Sequence, residues 1–259
     1  MIVRLFSDIH LSSESYTISP QHHDKDAVLV LAGDLGEQYA YPVPFVEKCC
    51  RQFKHVIYVL GNHEFYYGEY YAVKAAWKEV EERIDNLYVL DNETKIIGDI
   101  RFIGSTMWTD INHGNPTDMA NVGNCLNDFR VIRIDNGGDA DYTFTVGDSM
   151  ELHKLSVEYI TSELEQPFDG TTFVVTHHAP SPLLVHEDYK DSDINSAFYA
   201  NCDYLIDKYS IDYWTYGHMH QANNLVIGDT QTYCNPRGYV RYYGAEDTGI
   251  DHEWFIDIP

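Results

Sequence analysis

An α/β fold is the class this sequence predicts, and three observations point to it. Ile2 to Phe6, Val28 to Ala32 and Val56 to Leu60 are short β-branched runs, the kind of segment that packs well on a pleated, buried surface. A helical pattern near Phe45 to Phe53 and another over Tyr70 to Ile84 interleave with these runs, which is the rhythm of stacked β-α-β units. At 259 residues the chain has no need of a second core, so one domain spanning residues 1–259 is expected.

Taken in order, the elements after the third strand can be justified one by one. The helix over Tyr70 to Ile84 puts Val73, Ala76, Trp77, Val80 and Ile84 on one face, while Lys78, Glu79, Glu81 and Glu82 mostly face water. Leu87 to Leu90, Lys95 to Ile97 and Arg101 to Gly104 are short strands broken by Asp91-Asn92 and Gly98-Asp99, which predicts a meander that starts a second sheet. Thr106 to Asp118 holds Asn112, His113, Gly114, Asn115 and Pro116 and predicts a long exposed loop, a type of segment that often shapes specificity. Asp148-Ser149-Met150-Glu151 has the pattern of a capping box, ahead of a helix to about Glu165 with Leu152, Leu155, Tyr159 and Leu164 available for burial. Thr172 to Thr176, Tyr213 to Tyr216, Asn224 to Ile227 and Thr230 to Cys234 follow as strands, and Trp254 to Ile258 closes the fold.

Composition narrows the function. With 41 acidic against 17 basic residues the formal charge is -24, which repels phosphate backbones and anionic lipid unless cations cluster, and no run of Lys or Arg supplies such a cluster. Long nucleic acid is therefore disfavoured as a partner, and the acidic shell reads as a solubility feature. No stretch approaches the roughly 18 apolar residues of a membrane span. Cys49, Cys50, Cys125, Cys202 and Cys234 form no C-x-x-C pair and read as free thiols, with Cys49 and Cys50 packing on a helix as small hydrophobes. Met1 to Ser7 is too short for a signal sequence, so a cytoplasmic protein is expected.

The chemistry lies at the strand ends. Asp8 and His10 follow the first strand, Asp34 the second, Asn62 and His63 the third, and His177 and His218 later ones. Ligands of open α/β sheets bind outside the carboxyl ends of the strands, so these side chains are expected to meet. Asp8-Ile9-His10 and His218-Met219-His220 have i, i+2 spacing, which in extended chain points both polar side chains of each pair the same way. Carboxylate and imidazole together suit manganese, iron or zinc, with manganese favoured, whereas calcium and magnesium prefer oxygen alone. Asp8, His10, Asp34, Asn62, His177, His218 and His220 would oversupply a single ion. Two divalent ions about 3.5 to 4 Å apart, bridged by Asp34, would use them all and would hold a hydroxide and an anionic phosphate oxygen. Asn235-Pro236-Arg237-Gly238-Tyr239 has turn residues that could aim Arg237 at a phosphate oxygen, or Arg237 could pair with a surface acid. Arg130 and His113 are weaker candidates of the same kind.

Asp8-x-His10, Gly33-Asp34, Gly61-Asn62-His63-Glu64, the His177 segment and Gly217-His218-x-His220 resemble, in order, the five-block signature of the calcineurin-like metallophosphoesterases. The resemblance spans residues 8 to 220 and is specific for fold and metal site, not for substrate. It implies a four-layer α/β/β/α sandwich, two mixed sheets flanked by helices. It implies Asp8, His10, Asp34 and His220 around one metal ion, and Asp34, Asn62, His177 and His218 around the other. In Thr176-His177-His178-Ala179-Pro180 it is His177 that matches the family ligand best, with His178 either beside it or the ligand in another register. His63 matches a residue that is no ligand but reaches the substrate, as proton donor to the leaving oxygen or as a stabiliser of charge.

The implied reaction is hydrolysis of a small phosphodiester or phosphomonoester by metal-bridging hydroxide. Gly33-Asp34-Leu35-Gly36-Glu37 lacks the Arg that follows this block in protein Ser/Thr phosphatases, and Gly-His-x-His resembles the branch with cyclic nucleotide and other small-substrate diesterases, so a phosphodiesterase is favoured. A nuclease and a catalytically silent metal-binding scaffold are the other readings. A nucleotide is one possible small substrate, since Tyr39, Tyr41, Tyr66 and Tyr67 could stack on a base or complete the core.

Overall fold

The computed structural model describes residues 1–37, 41–135, 137, 142–240 and 245–259. Its first sheet is built from β1 (Ile2–Phe6), β2 (Val28–Ala32), β3 (His55–Val59) and β4 (Leu87–Val89), all parallel, as expected of β-α-β units. The second sheet takes β5 (Glu93–Ile97), β6 (Ile100–Ser105), β7 (Thr171–Thr176), β8 (Tyr213–Tyr216), β9 (Asn223–Ile227) and β10 (Thr230–Cys234) in the order β5-β6-β7-β8-β10-β9. Its four central strands run parallel and its two edge strands antiparallel to their neighbours. A last short strand, β11 (Ile256–Asp257), pairs antiparallel with β1, so the first sheet is mixed as well.

Both faces of the central strands are apolar, and each face finds a separate partner. Val3, Leu5, Val28, Val30, Ile57 and Val59 pack towards Phe102, Phe173 and Val175, which joins the two sheets through one buried layer. The opposite side chains, Phe6, Leu29, Leu31, Val56 and Tyr58, meet helices α1 (Pro42–Gln52) and α2 (Tyr70–Glu81). Three short helical segments follow: α3 (Ile111–Gly114), α4 (Pro116–Cys125) and α5 (Asp128–Val131). Helices α6 (Val146–Leu164) and α7 (Asp203–Lys208) cover the outer face of the second sheet at Ile103, Val174 and Trp214. The result is an α/β/β/α sandwich. Among the described residues no helix is long and apolar enough to cross a membrane. Cys49 is buried on α1 and Cys50 half-buried, and all five cysteines are free thiols.

Four local expectations need correction. Leu87–Val89 does not open the second sheet; it pairs parallel with β3, and the chain changes sheets near Asn92, which is left-handed at φ 53°. The Thr106 to Asp118 stretch is exposed only in its second half, at Asn112, His113, Asn115, Pro116 and Thr117; Thr106, Met107, Trp108, Thr109 and Ile111 are buried. Its polar residues serve a helix start instead: Asn115 accepts from the Thr117 and Asp118 amides, and Pro116 opens α4. The capping box before α6 sits three residues earlier, with Thr145 as the cap and Asp148 reaching back to the Thr145 amide at 2.8 Å. That register turns Ser149, His153, Ser156, Ile160 and Leu164 inward and leaves Leu155 45% exposed.

Candidate metal centre

The carboxyl ends of β1, β2, β3, β7 and β8 deliver Asp8, His10, Asp34, Asn62, His63, His177 and His218 to one edge of the paired sheets. Their donor atoms form three overlapping groups in which every ligand atom lies within 4.8 Å of the others: Asp8, His10 and His220; His10, Asp34 and His63; Asp34, His177 and His218. Asp34 is common to two of them. His10 Nε2 stands 2.9 Å from His220 Nε2, and His220 Nε2 stands 3.5 Å from Asp8 Oδ1. His177 Nε2 lies 3.3 Å from Asp34 Oδ1 and 3.0 Å from Asn62 Oδ1.

The i, i+2 pairs do not hold the extended backbone expected of them. Asp8, His10, Asp34, His218 and His220 are all left-handed, with φ between 48° and 65°. Each such non-glycine residue costs on the order of 1–3 kcal/mol, so the surroundings must impose the conformation. Hydrogen bonds between motifs do so: the Asp8 amide donates to Gly33 O at 3.0 Å, His10 N to Asp34 O at 3.1 Å, and His218 N to Asp8 Oδ1 at 2.9 Å. Two glycines are fixed by close approach. A Cβ on Gly33 would lie 2.3 Å from His177 Nδ1, and one on Gly61 would lie 2.1 Å from Asp34 Oδ1.

Burial and mutual charge set the protonation of the cluster. Burial, then the neighbouring imidazoles of His63 and His220, hold His10 well below its usual pKa. His218 is held well below by burial and by His178 and His177. Burial opposes charge on His177 too, yet Asp34 beside it raises the imidazole to about 10, and His177 and His63 in turn keep Asp34 well below the carboxylate range against its own desolvation. Burial pushes Asp8 upward. Asp8 Oδ2 and His218 Nε2 are buried with no hydrogen-bond partner among the described residues. Orphaned buried acceptors are rare because they are costly, and a carboxylate oxygen and a neutral imidazole nitrogen are the atoms that bind a divalent cation. The donor set therefore fits metal ions.

Several residues that hold this site were not singled out from the sequence. Glu64 is buried, and its carboxylate accepts from the amides of Gly61, Asp34 and Leu35 at 2.6, 3.1 and 2.6 Å and from Tyr58 Oη at 2.8 Å, tying the second and third motifs together. Asp128 accepts from Asn62 Nδ2 at 2.9 Å and Tyr66 Oη at 2.7 Å, which aims the Asn62 carbonyl at the cluster. Glu246 pairs with His220 Nδ1 at 2.7 Å and fixes its ring. Tyr239 stacks on His10 at 4.2 Å and places its hydroxyl 3.0 Å from His63 Nε2. The signal for Glu64 lay in the motif itself; nothing local marks Asp128 or Glu246, whose partners are 66 and 26 residues away.

His63 packs face to face on Tyr66 at 4.2 Å, with Nδ1 3.6 Å from Glu37 and Nε2 3.9 Å from Asp34. His178 is buried beside His218 with Nδ1 at Thr106 O, 3.1 Å away, and lies outside the three ligand groups. Arg237 is not brought to the cluster. Its guanidinium donates to the carbonyls of Ile9 at 3.0 Å and Glu14 at 2.9 Å and lies over the Tyr16 ring, so it braces the first motif from behind. Arg130 donates to Asn124 O, and His113 pairs with Asp110 at 2.8 Å. Of the three described tyrosines Tyr66 adjoins the site and Tyr41 and Tyr67 are exposed; Tyr39 lies outside the described residues. A cavity of about 460 Å³ adjoins the cluster, lined by His63, His218 and His220 and by Leu126, Ile194 and Phe198 among others.

Residues 1–222 match the family model described as calcineurin-like phosphoesterase. An uncharacterised protein of Acanthamoeba polyphaga mimivirus is 26% identical over 281 residues, covering 99% of this chain and 96% of its own. The crystal structure of phosphopantetheinyl hydrolase from Mycobacterium tuberculosis superposes with a TM-score of 0.69 at 14% identity, over 92% of this chain and 89% of that one. A dimetal phosphatase from Danio rerio superposes at 0.51 with 11% identity, over 92% and 87% of the two chains. A putative 5'-nucleotidase from Staphylococcus aureus superposes at 0.50 with 16% identity, over 90% of this chain but 48% of the other, so this chain spans about half its length. These likenesses are of fold.

Proposed function

From the premise that the chain belongs to the calcineurin-like phosphoesterase family, we propose that it hydrolyses a small phosphoester with the help of two divalent cations. Asp8, His10, Asp34 and His220 would hold one and Asp34, Asn62, His177 and His218 the other, with manganese ahead of iron and zinc. The observation that carries this reading is the chain of overlapping ligand groups, in which His10 links Asp8 and His220 to Asp34 and Asp34 lies in turn with His177 and His218, with unpaired Asp8 Oδ2 and His218 Nε2 buried among them. Cations bound there supply Lewis-acid charge to a phosphoryl group. The protein's own contribution is to fix the donors, exclude water and deliver a proton to the leaving group. His63 is the residue that delivers it, because Nε2 faces the cavity beside Asp34 and Tyr239, and general acid catalysis of this kind is worth roughly 10² to 10⁴ in rate.

A diester is the favoured substrate over a monoester. Among the described residues lining the cavity there is no Lys or Arg, while Asp128 and Glu246 add carboxylates, which suits a substrate with one negative charge better than one with two. The reading takes residues 1–259 as one domain, supported by β11 completing the edge of the first sheet. It places the protein in the cytoplasm, in keeping with five free thiols. The test is hydrolysis of a chromogenic phosphodiester beside its monoester by protein stripped of metal and reloaded with manganese. The expected result is manganese-dependent turnover, faster on the diester and reduced about 10²-fold or more by His63→Ala. Metal bound without turnover of either ester would sink the enzymatic reading in favour of a scaffold.

A further inference from the structure

The cavity beside the ligand cluster is larger than a phosphoryl group needs, and its lining is of two kinds. Beside the polar cluster the lining holds Leu126, Ile194, Phe198 and Met219, together with the rings of Tyr66, Tyr189 and Tyr239. Leu126, Ile194 and Phe198 are backed by the buried residues Ile111, Val122 and Ala197, so that apolar surface is part of a packed unit. Phe198 stacks on His218 at a centroid distance of 4.6 Å, so that surface begins one ring's width from the ligands. Asn127 and Asn195 bring amide groups to the same lining, with Asn195 Nδ2 donating to Tyr189 O.

We propose that the part of the substrate beyond the reacting phosphoryl group is an uncharged aliphatic chain with a neutral hydrogen-bonding group along it, seated on Leu126, Ile194 and Phe198; this rests on the phosphoesterase reading above. An aliphatic chain gains by leaving water for that wall, and the amides answer a carbonyl or hydroxyl placed further out. A second phosphate gains nothing there: it would face the Asp128 and Glu246 carboxylates, and the described lining residues offer no Lys or Arg to meet it. The substrate class is thus a phosphoester of an aliphatic alcohol rather than a nucleoside polyphosphate.

The experiment is calorimetric titration of manganese-reconstituted protein with methylphosphonate, butylphosphonate, hexylphosphonate and hexane-1,6-diphosphonate. Each methylene brought onto the wall tightens binding by up to about fourfold, so hexylphosphonate is expected to bind at least about tenfold more tightly than methylphosphonate. The diphosphonate is expected to bind more weakly than hexylphosphonate. Ile194→Asp should reduce the hexyl-to-methyl ratio to about twofold or less. Equal affinities for the methyl and hexyl compounds in the unaltered protein, or a preference for the diphosphonate, would overturn this subsite while leaving the phosphoesterase reading in place. Failure of every phosphonate to bind the metal-loaded protein, together with absence of turnover of both chromogenic esters, would overturn both. The chain-length series on the unaltered protein decides the matter even if the variant does not fold.

Discussion

The two ligand groups that share an edge of the sandwich are built from different materials. The inner one, Asp34, His177 and His218 with Asn62, is held by the interior: His177 Nδ1 meets the Ala32 carbonyl of β2 at 2.9 Å, Asn62 is steered by buried Asp128, and Gly33 and Gly61 press against the His177 ring. The outer one, Asp8, His10 and His220, ends on a side chain that is 19% exposed and is propped by Glu246, which is 40% exposed. A site fixed by backbone carbonyls and glycine contacts cannot relax without disturbing the sheets. One fixed by a surface carboxylate can. On the function proposed here, the two cations are therefore held unequally, the inner one more tightly.

Three substitutions probe that contrast, in falling order of effect. Asp34→Asn removes the carboxylate that the proposed function places between the two cations, so both metals should weaken and kcat should fall by at least about 10³, the equivalent of several kcal/mol of charge stabilisation. Metal analysis of the purified variant finding full occupancy at either position would break the idea of a shared ligand. Glu246→Gln should weaken only the outer position, by about 10- to 100-fold in affinity, as loss of a partner to a ligating histidine usually does. In a chelator titration one ion should then leave well before the other, and loss of both together would erase the distinction. Arg237→Met is expected to do least to catalysis: KM within about twofold and stability lower by about 1–2 kcal/mol, since it gives up hydrogen bonds to Ile9 and Glu14. A large rise in KM, measured beside the melting temperature, would return Arg237 to the substrate.

Much of this was legible in the chain itself, for a physical reason. Strands such as Val28–Ala32, buried on both faces, carry an unbroken apolar signal, and the ligands follow the strand ends within about one turn of chain, from His177 directly after Thr176 to His10 and His220 a little further on, so the order of motifs reports the site directly. What stayed hidden was non-local. The pairing of Leu87–Val89 with β3 depends on which neighbour is within reach, and a three-residue run carries no mark of its sheet. Asp128 and Glu246 look like ordinary surface acids until the fold sets them against Asn62 and His220. Two misreadings had better signals to hand: Asn115-Pro116 is a helix start, and Thr145-x-x-Asp148 is a capping box. For Arg237 it is the second reading that holds, a pairing with the surface acid Glu14 at 3.5 Å, and the choice was hidden because the guanidinium's direction depends on carbonyls more than two hundred residues away.

The left-handed backbone at Asp8, His10, Asp34, His218 and His220 has a consequence for how such a chain can change over time. Those five positions are ones where glycine or asparagine would be the more comfortable residue, so selection for thermal robustness alone pulls against the side chains the chemistry requires. A descendant freed from catalysis would shed strain by drifting at these positions first, becoming sturdier as it fell silent.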